Sequence, residues 1–225
     1  MMNYHDTNYF NGFLVERLGS FITRDDLLSS TNMKFIGEID QSQWEELELY
    51  SEIPLRREDT ELIKKPYIYP VISRRSGTRV ILMSYTRKMI EHVLNVDLSD
   101  IFYPKPRYVP IAVDELVKSI TRHPTIYTLS FVHARIPAFG TSLRSASFYG
   151  DDLGDASLFS ENVALMNCFV CGLRPAKGGP EIVRLGTDGS ISFYMTSPQK
   201  VREVENVLMY LRKEGYLSTQ IWEEG

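Results

Sequence analysis

Cysteine is scarce in this chain: two residues in 225, Cys168 and Cys171. Two cysteines give no disulfide framework, which excludes a disulfide-stapled secreted scaffold and suits a reducing compartment. A single Cys168-Phe-Val-Cys171 also falls short of a zinc site, which needs four ligands at matched spacing. The four histidines (His5, His92, His123, His133) are not placed to complete one. The pair lies inside an expected strand, where positions three apart face opposite sides, and it is expected to be two small buried hydrophobes. Long apolar runs are missing as well. Those at residues 80–83 and 163–166 are strand-sized, far below the roughly 20 residues of a membrane-spanning helix. Residues 1–6 have neither the basic start nor the apolar core of a secretory leader. The expectation is a cytoplasmic protein without a membrane partner. No GxSxG, HExxH, P-loop or dinucleotide fingerprint occurs, so those chemistries are excluded and no cofactor is expected.

What is present is an ordinary globular composition, 43% hydrophobic and 24% charged. Thirteen tyrosines accompany Val, Ile and Thr, a mixture that suits strands and interfaces. The net charge of −4 is uneven: residues 1–53 carry −7, 54–110 carry +5 and 111–225 carry −2. An acidic head beside a basic middle is either self-complementary or presents two faces to different partners.

Residues 34–39 read as a strand. Ser42 and Glu45 then have capping-box spacing, which predicts a short helix with Trp44, Leu47 and Tyr50 on one face. Residues 54–66 read as loop or helix fragment. Strands are expected at 67–72 and 79–83, joined by Arg74-Arg75-Ser76-Gly77, with a helix over 86–95. The prolines at 104, 106 and 110 mark residues 98–112 as a linker. In the second half, Val113, Leu116, Val117 and Ile120 define an amphipathic helix ended by Pro124. Strands are expected at 125–136, 145–149 and within the apolar run 162–173, with a turn at 151–155. In the hairpin at 181–195, only a three-residue loop, Thr187-Asp188-Gly189, pairs Leu185 with Ile191 and keeps one face apolar. Ser197, Pro198, the stripe Val201, Val204, Leu208 and Leu211, and Gly215 predict the last helix with both its ends.

Two glycine anchors, 37/150 and 77/189, recur about half a chain apart. They suggest an internal duplication, although residues 51–66 are charged where 162–174 are apolar. The expected architecture is therefore α+β with two similar lobes, 1–97 and 113–225. Each would be an antiparallel sheet with a β-hairpin followed by a packing helix.

Three groups of residues bear on function. Arg74, Arg75 and Arg79 at the first hairpin tip, with Arg56, Arg57, Tyr67 and Tyr69 nearby, could meet an acidic protein or follow a nucleic-acid backbone. The pI near 5.6 opposes a dedicated DNA binder. His133 and Arg135 alternate on one strand, with Tyr127 and Phe131 on the same face, as phosphate-ester cleavage would want. Asp151, Asp152 and Asp155 form a loop of carboxylates that could hold a hard cation. The favoured reading is a non-enzymatic interaction module or complex subunit with a protein partner, and self-association is allowed. A nucleic-acid-binding, RNA-processing protein ranks second and a metal-dependent hydrolase third.

Overall fold

A computed structural model describes residues 9–16, 25, 28, 33–38, 44–54, 64–74, 80–84, 107–123, 125–137, 145–194 and 198–217. The chain divides into two compact units, residues 1–109 and 110–225. Among the described residues there are eleven strands, paired antiparallel, and three α-helices, an α+β composition.

In the first unit β1 (Tyr9–Glu16), β2 (Met33–Glu38), β3 (Trp44–Pro54), β4 (Lys64–Arg74), β5 (Val80–Ser84) and β6 (Arg107–Tyr108) pair in the order β2-β3-β4-β5-β1-β6. The longest ladder joins β3 to β4 and runs from Trp44↔Arg74 to Pro54↔Lys64. This corrects the helix expected after Ser42. The stretch Glu46-Leu-Glu-Leu-Tyr-Ser-Glu-Ile53 alternates with period two, and that repeat outweighs a two-residue capping signal. Residues 51–54 and 64–66, read as loop or helix fragment, belong to the same ladder. Pro66 and Pro70 fit inside β4 because β5 pairs only with Val71–Ser73, so among the described residues both prolines lie where β4 has a strand on one side only. The end of the expected linker is structured too: Arg107 and Tyr108 pair with β1, and the Val109 N–H donates to Leu14 O at 2.9 Å. The helix expected over 86–95 lies outside the described residues.

In the second unit, α1 (Val113–Arg122) precedes β7 (Tyr127–Arg135) and β8 (Ala146–Tyr149). Then come α2 (Ser157–Asn162), a 3-10 turn (Val163–Leu165), β9 (Asn167–Pro175), β10 (Val183–Gly186), β11 (Ser190–Tyr194) and α3 (Pro198–Lys213). The sheet order is β11-β10-β9-β7-β8. Both units thus contain a three-stranded meander, β3-β4-β5 and β9-β10-β11. They differ in where their first strand goes: β1 joins the outer side of β5, whereas β7 inserts between β8 and β9. The apolar run at 162–173 is likewise divided. Its first residues finish α2 and the 3-10 turn, and only the rest is strand.

Pairing across the second sheet sorts its side chains into rows. Phe148, Val132, Cys171, Leu185 and Ile191 form one row, all but Phe148 buried. Helices cover this apolar side: Asp114 of α1 accepts the Cys168 N–H at 2.8 Å, Phe159 of α2 meets Phe148 edge-on, and Tyr210 of α3 meets Tyr127. The helices are built for that contact. In α1 the buried residues are Val113, Leu116, Val117 and Ile120, the stripe read from the sequence. In α3 Val201, Val204, Val207, Leu208 and Leu211 are buried. Gly215 (φ +79°) closes α3 in a Schellman arrangement, with the Tyr216 N–H donating to Leu211 O and the Gly215 N–H to Arg212 O.

The β10–β11 hairpin has the expected three-residue loop, with Leu185 opposite Ile191 and Gly189 left-handed at φ +82°. An L side chain at that φ costs about 1–2 kcal/mol. Gly189→Ala is therefore expected to lower stability by about 1 kcal/mol or more in urea unfolding, with no change in the slope of the denaturant dependence.

Candidate binding face of the second sheet

The row beside the apolar one is different in kind. It reads Tyr149, Phe131, Gly172, Arg184 and Ser192 across β8, β7, β9, β10 and β11. Gly172 leaves a gap in the row, and the Glu181 carboxylate fills it. A Cβ at residue 172 would collide with Glu181 Oε2 and crowd the Ser130 hydroxyl, so glycine is what lets the carboxylate lie against the sheet. Ser130 Oγ donates to Glu181 Oε2 at 2.7 Å, and Arg184 Nε donates to Glu181 Oε1 at 2.7 Å. The Arg184 guanidinium then lies over the Phe131 ring, 4.5 Å from its centroid, and Tyr149 packs on Phe131 at 4.9 Å. Stacking and hydrogen bonding thus hold one arginine from two directions.

Farther along β7, His133 Nδ1 and Ser147 Oγ are 2.6 Å apart, a hydrogen bond in which either group can donate, and the imidazole meets Phe169 edge-on at 4.4 Å. Arg135 follows on the same face and is exposed. Tyr149 and Tyr194 are 69% and 61% exposed, large apolar surfaces left in contact with solvent. Tyr127 is not part of this face, contrary to expectation. A bulge between Leu129 and Phe131 adds Ser130 to β7, so Tyr127 turns to Tyr210 of α3 while Ser130 and Phe131 both serve the Glu181–Arg184 pair.

The two cysteines share a face, against the expectation that they diverge. The irregularity at Phe169 pairs Cys168 with Ala134 and Cys171 with Val132, and both thiols are buried on the helix side. Burial, with Asp114 adding to it, pushes the Cys168 thiol up from 9.0 to about 12. Burial also pushes Cys171 up. Raised thiols are the opposite of what a reactive redox pair needs.

In the acidic loop, Asp151 Oδ1 accepts from Arg174 Nη1 at 2.6 Å and Asp152 Oδ1 accepts the Gly154 N–H at 2.9 Å, so two of its three carboxylates already serve protein groups. Asp155 is exposed in the same turn. Among the described residues no group of three or more His, Cys, Asp or Glu is arranged to hold a metal. Of the first-hairpin residues, Arg74 ends β4 opposite Trp44, and Tyr67 and Tyr69 pair with Ser51 and Leu49. Arg56, Arg57, Arg75 and Arg79 lie outside the described residues. The Ser130–Glu181–Arg184–Phe131 cluster was not foreseen. Its one local signal is the Glu181 and Arg184 spacing, which common salt-bridge pairs share.

No helix of the second unit is long and apolar enough to cross a membrane, and the same holds for every described residue. Comparison of the chain with protein-family models, with curated proteins and with solved structures finds no match.

Proposed function

We propose that the chain is a non-enzymatic cytosolic interaction module, a subunit that engages a protein partner through tyrosine-bearing surface. The observation that carries this reading is the aromatic and arginine face of the second sheet. Exposed Tyr149 and Tyr194 flank a restrained Arg184 on the side away from the helix contacts. Exposed tyrosine beside ordered arginine is the composition of interface centres, where large rigid area and directed hydrogen bonds coincide. Two buried free thiols suit a reducing compartment. The basic hairpin of the first unit, Arg74, Arg75 and Arg79, is a second candidate surface. Two lobes descended from one meander would account for the recurring glycine anchors.

The test is affinity capture from the native host with three baits: wild type, Tyr149→Ala with Tyr194→Ala, and Arg74→Ala with Arg75→Ala and Arg79→Ala. A protein held by the wild type and lost from the tyrosine variant supports the reading. If wild type retains nothing beyond a matched control, the interaction reading fails. If neither variant alters what is retained, both surfaces are the wrong ones.

A further inference from the structure

We infer that Arg184 is a carboxylate-binding site for an extended acidic segment of the partner protein, with Arg135 receiving a second carboxylate four residues away. This rests on the interaction reading above and gives it a chemistry.

The Arg184 side chain is fixed before any partner arrives. Its Nε is held by Glu181, which Ser130 holds in turn, and its plane lies on Phe131. The two Nη groups have no protein acceptor among the described residues. They form the end of the guanidinium fork, whose parallel N–H groups match the two oxygens of one carboxylate. A free arginine must lose rotamer freedom to make that contact, whereas this one has already lost it.

Charge favours an acidic occupant. Glu181 is matched by Arg184 and Asp151 by Arg174. Arg135 has no ion pair among the described residues, so it leaves the face with net positive charge. Spacing favours an extended one. Phe131 shares its row with Arg184 through Gly172, and Arg135 lies four residues farther along β7. At roughly 3.3 Å per residue, Phe131, which carries the Arg184 guanidinium on its ring, and Arg135 are about 13 Å apart along β7, the span of residues i and i+4 of an extended chain. Between them His133 and Phe169 offer an aromatic floor for the middle of the segment.

The probe is the blocked pentapeptide Glu-Ser-Phe-Ser-Glu, titrated into the full chain and followed by chemical-shift changes of the Arg184 side-chain N–H groups and the residue 131–135 amides. Saturable binding is expected, weakened at least tenfold when both glutamates become glutamine. Arg184→Lys, which keeps the charge and removes the fork, should weaken it about tenfold. Arg135→Gln, at an exposed position, should weaken it several-fold. Ser130→Ala, which frees Glu181, should weaken it less than Arg184→Lys. Equal binding of the glutamate and glutamine peptides overturns the inference, as does no binding, or full affinity in the Arg184→Lys and Arg135→Gln variants. Displacement of the peptide by millimolar inorganic phosphate, or tighter binding of oligouridylate, overturns it in favour of a phosphate-directed face. If a captured partner depends on the tyrosines but the peptide does not bind, the carboxylate site falls and the interaction reading stands. If the peptide binds but no partner is ever retained, the site stands and the interaction reading falls.

Discussion

Phe159→Ala is expected to destabilise the second unit by about 3–5 kcal/mol, the usual cost of emptying a buried phenylalanine site. Phe159 is 2% exposed and is among the largest fully buried side chains of the described residues. It sits on α2, a helix of six residues without a side-chain cap bond, too short to stand on backbone hydrogen bonds alone. What holds α2 is this ring, edge-on to Phe148 with centroids 5.3 Å apart. The contact also reaches the candidate face, because Phe148 lies between Ser147 and Tyr149 on β8, whose side chains point the other way. Losing the ring should therefore loosen β8 as well as lower the urea midpoint. Set against a typical total of about 5–15 kcal/mol, the loss is large enough to leave part of the population unfolded at 37 °C. Leu158→Ala, one residue away and 75% exposed, should stay within about 0.5 kcal/mol. Equal effects of the two substitutions in urea unfolding would contradict the burial of Phe159.

The sequence was legible where one local signal decided the structure. The β10–β11 loop followed from the single register that keeps Leu185 and Ile191 on one face, and the left-handed Gly189 that this register requires is present. The stripe and stop of α3 followed from helical spacing and Gly215. Legibility failed where two signals competed or where one residue was inserted. At Ser42 a capping box competed with the alternation of β3, and the long β4 partner decided for strand. Ser130 and Phe169 are bulge residues. Each shifts the phase of its strand by one, so Tyr127 changes face and the two cysteines converge. Nothing in a periodic pattern marks such an insertion beforehand. The Arg184 cluster was out of reach for another reason. It joins residues 130, 131, 181 and 184 from two distant chain segments, and it depends on the side chain that Gly172 lacks on a third.

Alkali should unfold the second unit through its buried thiols, and the pH window follows from the direction of their shifts. In the unfolded chain a cysteine ionises near the ordinary 9.0, whereas in the fold Cys168 holds its proton up to about 12. Burial is the main cause, and the Asp114 carboxylate acts in the same direction. A group whose folded pKa is raised stabilises the fold fully below the unfolded value. That contribution is lost as pH rises towards the folded value, because only the unfolded state then releases the proton. Each unit of pH in this interval removes roughly 1.4 kcal/mol per thiol, so Cys168 alone accounts for about 3 kcal/mol by pH 11. Cys171 is pushed in the same direction by burial and by its neighbour Cys168. Tyr127 and Tyr210, both raised from 10.0 chiefly by burial, join above pH 10. The urea midpoint should accordingly stay level from pH 7 to 9 and fall steeply above it. Cys168→Ala with Cys171→Ala should remove the fall between pH 9 and 10 and leave the later, tyrosine-driven part. In the folded wild type at pH 8, a thiol reagent should label neither cysteine except at the rate of opening. A midpoint equally steep in the double variant would mean that the thiols are not what alkali ionises.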